Sequence, residues 1–176
     1  MRSLRNLEIN QSIERGKLVY DESFMDKFDG AINYLISFLL IFISICLSQL
    51  NTQSENDFTF EIIFAILSGT FGLYNLYRKL MEKRLIKIKS RFSAKEIKEK
   101  LLDFAIKEEY EIYRQSGYCL IFNSSDWEID LYKKTRIIFI RDYEIYFTVI
   151  QDNSRLNRPV YTTHLFLKRA FKKLLN

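Results

Sequence analysis

The segment that leads into the last predicted helix carries the residues best suited to hold an anion. No acidic residue follows position 152, whereas Arg155 and Arg158 lie just before that helix. Arginine can donate two parallel N–H bonds to one phosphate, and the free N–H groups at a helix start favour the same anion. Threonine hydroxyls can donate further bonds, and a tyrosine ring can stack on a base. These properties predict a phosphate or nucleotide site formed by Arg155, Arg158, Tyr161, Thr162, Thr163, His164 and Lys168.

The same C-terminal stretch has a second interpretation. Lysines and arginines on the last helix can form a face that contacts water or anionic lipid. In sequence, a threonine cap with arginines nearby looks the same as an anion site. Both interpretations stay open. If the two arginines prove unnecessary for binding, the next candidate is the basic group formed by Lys133, Lys134 and Arg136.

Catalytic and metal-binding patterns are missing from the sequence. It has no glycine-rich phosphate loop, no HExxH or CxxC motif and a single histidine, His164. Cys46 and Cys119 have no second ligand-like cysteine nearby, so we expect neither a disulfide nor a zinc site. The carboxylates of residues 126–130 alternate as solvent-facing strand residues do. We therefore predict a protein that is not an enzyme and has no metal or cofactor, with an enzyme acting on a membrane or nucleotide substrate as the weakest alternative.

Two apolar segments are the strongest structural signal in the chain, and any such site must be positioned relative to them. Residues 30–54 contain no charged side chain, and residues 31–50 and 58–77 are each long enough to cross a hydrocarbon layer of about 30 Å as helices. The short polar turn between them makes the two helices antiparallel neighbours. Residues 78–91 contain seven Lys or Arg against one acid, so the positive-inside rule predicts a multi-pass membrane protein with both termini in the cytoplasm.

Each predicted span carries a stripe of polar or small residues at helical spacing. The first stripe consists of Asn33, Ser37, Ser44 and Ser48, and the second of Glu61, Ala65, Ser68, Gly72 and Asn75. Such stripes permit close packing of helices, within one hairpin or between copies. Alternatively, several hairpins could assemble so that the stripes face a conduit, because a carboxylate such as Glu61 seldom faces lipid.

The remainder of the chain predicts a small α+β domain. Residues 78–91 predict a basic helical neck, and Ser93 with Glu96 forms a capping box that starts a new helix. Alternating residues then predict an antiparallel sheet of four or five strands, followed by a C-terminal helix. The strands are placed at 110–114, 118–123, 127–132, 136–140 and 143–151. The predicted fold is thus a membrane α-helical hairpin plus a small α+β soluble domain, divided into a cytoplasmic segment 1–30, a hairpin 31–77, a neck 78–91 and a sensor or interaction domain 92–176.

This layout, a short membrane hairpin followed by a small cytoplasmic domain with basic residues at Arg155 and Arg158, resembles the two-helix membrane effectors of bacterial anti-phage defence. It is most similar to the type III CRISPR-associated effectors that bind cyclic tetra-adenylate. The helix capped at Ser93 and the terminal helix fit their mixed α/β sensor better than the all-β barrel of the cyclic-dinucleotide effectors. The resemblance implies a homo-oligomer whose domains bind a cyclic oligoadenylate, after which the membrane helices disrupt or permeabilise the inner membrane. The alternative is a membrane-anchored interaction protein whose basic domain binds an acidic protein, nucleic acid or a lipid surface.

Overall fold

Three helices form the first part of the computed structural model, which describes residues 4, 6–50, 58–125, 133–152 and 159–176. They are α1 (Ile9–Arg15), α2 (Phe24–Leu50) and α3 (Phe58–Met81). The last two are long and apolar enough to cross a membrane, and they pack against each other as the predicted hairpin. The predicted turn at 51–57 lies outside the described residues.

Helix α2 begins at Phe24, about two turns before the predicted start at residue 31. Ser23 and Asp26 explain the earlier start. The Asp26 carboxylate accepts bonds from the backbone N–H of Ser23 (3.1 Å) and from its hydroxyl (2.9 Å). The Ser23 hydroxyl oxygen accepts in return from the N–H of Asp26 (3.2 Å). This reciprocal cap satisfies donors at the start of the helix, so the charged residues before the apolar segment belong to the same helix.

The segment after α3 is not the predicted helical neck. Helix α3 ends at Met81, and β1 (Ile86–Lys89) pairs antiparallel with the strand that comes last in the sequence, Glu144–Asp152. Apolar and basic residues alternate in β1, so that Ile88 is buried while Lys87 is exposed. This period of two suits a strand at the edge of a sheet. The prediction that the helix continues to residue 91 is therefore wrong.

A five-stranded antiparallel sheet forms the centre of the α+β domain, in agreement with the predicted fold class. The remaining elements are α4 (Ala94–Lys107), β2 (Glu111–Gln115), β3 (Cys119–Ser125), β4 (Lys133–Arg141), β5 (Glu144–Asp152) and α5 (Thr163–Leu175). The strand order is β1-β5-β4-β3-β2. The capping box of Ser93 and Glu96 starts α4 as predicted. The predicted strand at 127–132 lies outside the described residues.

Helices α4 and α5 cover one face of the sheet. Phe171 of α5 meets Phe147 of β5 and Phe104 of α4 edge to face, with ring centroids 5.1 Å and 5.5 Å apart. Leu101 of α4 and Leu175 of α5 are fully buried in the same cluster. This packing buries the apolar sides of both helices, and it fixes α5 over the β1 and β5 edge of the domain.

The N-terminal segment covers the opposite face of the sheet, which the sequence did not predict. Ile13 of α1 and Leu18 belong to a buried cluster with side chains of β3, β4 and β5. Backbone bonds then join this segment to the chain that leaves the hairpin. The N–H of Leu18 donates to the carbonyl of Lys83 (2.9 Å), and the N–H of Leu85 donates to the carbonyl of Gly16 (2.9 Å). The segment that enters the hairpin and the segment that leaves it are therefore held side by side.

Candidate functional site

Most residues of the polar stripes predicted on the two long helices face each other inside the hairpin. Ser48 does not, because it is exposed and its hydroxyl donates to the Ile45 carbonyl of its own helix (2.7 Å). The Ser44 hydroxyl donates to the carbonyl of Ala65 (2.6 Å), and Asn75 Nδ2 donates to the Ser37 hydroxyl oxygen (2.7 Å). Gly72 lies opposite Ser37, and a Cβ atom at Gly72 would lie 3.0 Å from the Ser37 carbonyl oxygen. Small and polar residues thus permit close approach of the two backbones. The stripes bind the two helices of one hairpin to each other.

The outer surface of the hairpin is apolar and exposed in the single chain. Its large exposed side chains on α2 include Leu35, Ile36, Phe38, Leu39, Phe42 and Ile45. Those on α3 include Phe60, Ile63, Phe64, Ile66, Leu67, Phe71 and Leu73. A contiguous apolar surface of this kind on a soluble protein marks an interaction site or a membrane-facing region.

Tyr161, one of the predicted ligand residues, lies against the hairpin. Its hydroxyl donates to Asn75 Oδ1 (2.7 Å), and its ring stacks on the Tyr74 ring with centroids 5.7 Å apart. The Tyr74 hydroxyl donates in turn to the backbone carbonyl of Tyr161 (3.2 Å). The structure therefore engages this ring with α3, and a nucleotide base would have to compete with that contact.

A chain of hydrogen bonds continues from Tyr161 into the hairpin. Asn75 Nδ2 donates to the Ser37 hydroxyl oxygen, and the Ser37 hydroxyl donates to the carbonyl of Asn33 (2.8 Å). Asn33 Nδ2 donates to the carbonyl of Asp29 (2.8 Å). Buried polar groups are stable only when they are paired, and a connected chain of them favours one arrangement of its members. The start of α5 and the polar interior of the hairpin are thereby coupled.

Arg78 fastens the end of α3 to the start of α5. Its Nε and Nη2 donate to the carbonyl of Val160 (2.9 Å and 2.6 Å), and Nη2 also lies 2.9 Å from His164 Nδ1. Because arginine can only donate, His164 Nδ1 must accept, which requires a neutral ring with its proton on Nε2. Burial, together with the positive charges of Arg78 and Lys168, lowers the pKa of His164 below its ordinary value.

The other predicted site residues occupy separate positions around the start of α5. Thr162 is exposed at the N-cap position, and its hydroxyl makes no capping bond within the described part of the chain. Thr163 is half-buried in the first turn. His164 and Lys168, one turn apart, line the same groove. The two predicted arginines, Arg155 and Arg158, lie outside the described residues.

The groove shared by His164 and Lys168 has a volume of about 330 Å³. It lies between the end of α3, the start of β1, β5 and α5, and we refer to it as the junction groove. Arg78, Arg84 and Lys168 bring positive charge to it. Glu82 also lines it, but this carboxylate is bound to Lys79 Nζ at 2.7 Å. The groove therefore has the charge of an anion-binding site.

Sequence reasoning did not identify Arg78 and Arg84 as residues of the candidate site. They contributed only to the charge that orients the predicted hairpin. Arg78 and His164 are separated by 86 residues, so no local spacing connects them. The only signal for Arg78 in the sequence was its position directly after an apolar segment. That position does not reveal its neighbours, because they depend on how the α+β domain docks on α3.

Within the described ranges, no group of three or more His, Cys, Asp and Glu side chains could hold a metal ion. Cys119 is buried in the sheet, and burial raises the pKa of its thiol to about 11. A thiol with so high a pKa carries almost no reactive thiolate at neutral pH.

Comparison of the chain with protein-family models, with curated proteins and with solved structures gave no match. The geometry of the described residues is therefore the basis for any functional conclusion. Its most specific feature is the Arg78 contact, which joins a helix able to cross a membrane to the start of α5 and to the junction groove.

Proposed function

We propose that this chain is a membrane effector of antiviral defence. The hairpin of α2 and α3 crosses the inner membrane twice, with both termini in the cytoplasm. The α+β domain binds a cyclic oligoadenylate, with cyclic tetra-adenylate as the first candidate, and the hairpins of a homo-oligomer then disrupt or permeabilise the membrane. The observation that carries the proposal is the Arg78 contact with Val160 and His164, because it connects the predicted ligand segment directly to a candidate membrane helix.

The outer surface of the hairpin supports insertion into a membrane. Phe42 and Phe64 are 62% and 50% exposed in the single chain, and the surrounding outer side chains are apolar as well. Removing apolar surface from water is favourable by about 25 cal/mol per Å², so lipid contact stabilises this surface. Helix α2 has 27 residues, about 40 Å at 1.5 Å per residue, which exceeds the ~30 Å hydrocarbon layer. The basic residues of 78–91 favour a cytoplasmic domain.

Arg78 offers a route from ligand binding to the hairpin. The Val160 carbonyl that it binds lies two residues after Arg158, which is a predicted phosphate ligand. A phosphate held by Arg158 acts on the same short segment that Arg78 holds. Ligand binding can change the hairpin only if one arrangement of this segment holds the ligand better than the other. In this proposal, the bond between Arg78 and Val160 differs between the two arrangements.

The closed packing of the hairpin restricts how several copies could act on a membrane. Ser44 and Asn75 already bond within one chain, so copies would meet first through the apolar outer surface. A conduit lined by the stripes would require the hairpin to open. Glu61 is half-buried near the start of α3, at the end opposite to Arg78. The proposal therefore places the membrane effect in hairpins that rearrange on oligomerisation, rather than in a pore already formed by one chain.

A paired binding and leakage experiment tests the proposal. The full chain in detergent is heated with cyclic tetra-adenylate, and linear tetra-adenylate serves as the control ligand. Binding to the folded state raises the apparent melting temperature. The same protein is then reconstituted into vesicles with a trapped dye. We expect a higher melting temperature and dye release with the cyclic ligand only.

Two variants sharpen that experiment. Replacing Arg155 and Arg158 together by glutamine removes the predicted phosphate ligands, and both responses should disappear. Arg169→Gln removes an exposed charge from α5 and should leave them intact. If no cyclic oligonucleotide shifts the melting temperature, or if dye escapes equally with and without ligand, the proposed effector function is wrong.

A membrane-anchored interaction protein is the second candidate, and the hairpin packing favours it. Stripes that satisfy each other within one chain are sufficient for a passive anchor, because Ser44 and Asn75 need no second copy. The basic domain would then bind an acidic protein, nucleic acid or a lipid surface. Binding to DNA or anionic vesicles that weakens steeply with salt, without any response to cyclic oligonucleotides, would support this candidate.

A further inference from the structure

The junction groove combines positive charge with exposed apolar side chains at the end of a candidate membrane helix. We infer that it binds the phosphate group of an anionic phospholipid, held by Arg78, Arg84 and Lys168. This inference rests on the membrane insertion proposed above. It concerns a ligand separate from the cyclic oligonucleotide, bound where the domain meets the membrane surface. It assigns His164 and Lys168, which the sequence analysis placed in the nucleotide site, to the lipid instead.

The charge of the groove is not balanced by acidic residues. Arg84 and Lys168 are exposed, and within the residues that the structure describes neither forms an ion pair with a carboxylate. Glu82 is the carboxylate that lines the groove, and it is buried and bound to Lys79 Nζ at 2.7 Å. A concave site lined by charges of one sign concentrates counter-ions of the other sign. The groove therefore attracts an anion.

Arg78 is already oriented for such an anion. Its Nε and Nη2 bind the Val160 carbonyl and His164, while Nη1 takes part in none of these bonds. A guanidinium fixed in this way loses little side-chain freedom when it donates to a phosphate oxygen. His164 lines the same groove, and its bond with Arg78 leaves the ring proton on Nε2.

The apolar side chains of the groove favour a lipid over a free phosphate. Tyr77 and Leu165 line it and are 53% and 51% exposed, and the neighbouring Phe166 is 63% exposed. Tyrosines and basic residues at the end of a span are typical of the membrane–water interface. Apolar surface beside the cations suits the glycerol and upper acyl chain of a phospholipid. An inorganic phosphate gains nothing from these side chains.

Competitive lipid retention tests the site. The full chain is purified in detergent and incubated with equal amounts of phosphatidylglycerol and phosphatidylcholine, and the bound lipids are counted by native mass spectrometry. We expect the wild type to retain phosphatidylglycerol in preference. Arg84→Gln and Lys168→Gln should each weaken its binding about fivefold, because one basic residue near an anionic surface contributes ~1 kcal/mol.

Two matched variants control for overall charge. Lys89→Gln and Lys172→Gln each remove one exposed lysine from outside the groove. Both should leave the preference for phosphatidylglycerol unchanged. An equal loss in these controls would mean that retention follows net charge alone. That result, or a preference unaffected by the groove variants, would overturn the proposed site.

A soluble competitor separates the sources of the phosphate. Inorganic phosphate should not displace phosphatidylglycerol from the wild type. Displacement by it would assign the groove to a soluble phosphate and overturn the lipid assignment. Alkaline extraction of the full chain from membranes tests insertion by itself. A chain that resists extraction but shows no lipid preference contradicts only the groove inference, whereas an extracted chain contradicts the proposed function.

Discussion

Tyr161, just before α5, and Asn75, on α3, share a 2.7 Å hydrogen bond across 86 residues of sequence. Asn75 is 4% exposed, and both ends of its amide are paired: the oxygen accepts from Tyr161 and the nitrogen donates to Ser37. One buried side chain therefore joins the two long helices to each other and to the α+β domain. The way the domain sits on the hairpin depends on this contact.

Removing the Tyr161 hydroxyl should weaken the docking of the domain. Tyr161→Phe keeps the ring against Tyr74 but leaves the oxygen of buried Asn75 without its donor. An unsatisfied buried polar group destabilises by about 1–3 kcal/mol, so we expect a lower melting temperature in detergent. Tyr118→Phe, at an exposed position, should leave the melting temperature unchanged. Equal melting temperatures for the wild type and Tyr161→Phe would show that the bond contributes nothing to stability.

Stability should fall in mildly acidic solution because of His164. Burial, together with the positive charges of Arg78 and Lys168, holds its pKa in the folded state below its unfolded value of about 6.5. As the pH falls below the unfolded value, the unfolded state binds a proton before the folded state does. The free energy of unfolding therefore decreases until the pH reaches the folded-state pKa. His164→Asn keeps an acceptor and cannot titrate. Melting temperatures measured from about pH 7.5 to pH 5 should decrease less for this variant than for the wild type.

A methyl group at Gly72 should separate the two long helices. The new Cβ would lie 3.0 Å from the backbone carbonyl of Ser37, which cannot move aside as a flexible side chain can. Overpacking of this kind destabilises by about 1–3 kcal/mol. Gly30→Ala is the control, since a Cβ there meets none of the described atoms within 4 Å, and alanine favours the helix by up to about 1 kcal/mol. Opposite shifts in melting temperature are expected, and the same sign for both would contradict the packing described.

Truncation of Phe171 should unfold the α+β domain while the two long helices stay paired. This side chain is fully buried between Phe147 and Phe104, and Phe→Ala at such a position costs about 3–5 kcal/mol. Proteolysis of the variant should degrade the domain and leave a protected hairpin fragment. Ile106→Ala, at an exposed position on α4, should resist proteolysis as the wild type does. A Phe171→Ala domain that remains resistant would contradict the assigned core.

Local signals explain most of what the sequence predicted correctly. The capping box at Ser93 and the apolar spacing around Leu101 specify α4 within its own residues. The same holds for the strands around Ile138 and Phe147, where apolar runs are bounded by a turn. The stripes of the hairpin were also visible, because a helical period places Ser37 and Ser44 on one side. The sequence left open whether these stripes pack within one chain or between chains, and only the structure shows them packed within one chain.

Long-range pairing explains what the sequence could not specify. Strand β1 is four residues long and exists because the free edge of β5, nearly sixty residues later, pairs with it: Ile86 lies opposite Phe147. Helix α1 is too short to show a clear period, and its apolar face is defined only by the sheet beneath it. In the site, the spacing placed His164 and Lys168 together but could not reveal Arg78 as their neighbour, because docking of the domain on α3 determines that contact.

The cover that the N-terminal segment gives to the sheet has a consequence for biosynthesis. Ile13 and Leu18 are translated before either long helix, whereas their partners on β3, β4 and β5 are translated about 100 to 140 residues later. At about 5–20 residues per second, the ribosome needs roughly 5–30 s for that interval. Both long helices have left the ribosomal active site by then, so they are available for insertion while the N-terminal segment still lacks its partner. Closure of the sheet over this segment is therefore a late folding event, and it ties the two ends of the hairpin together only after both long helices have been synthesised.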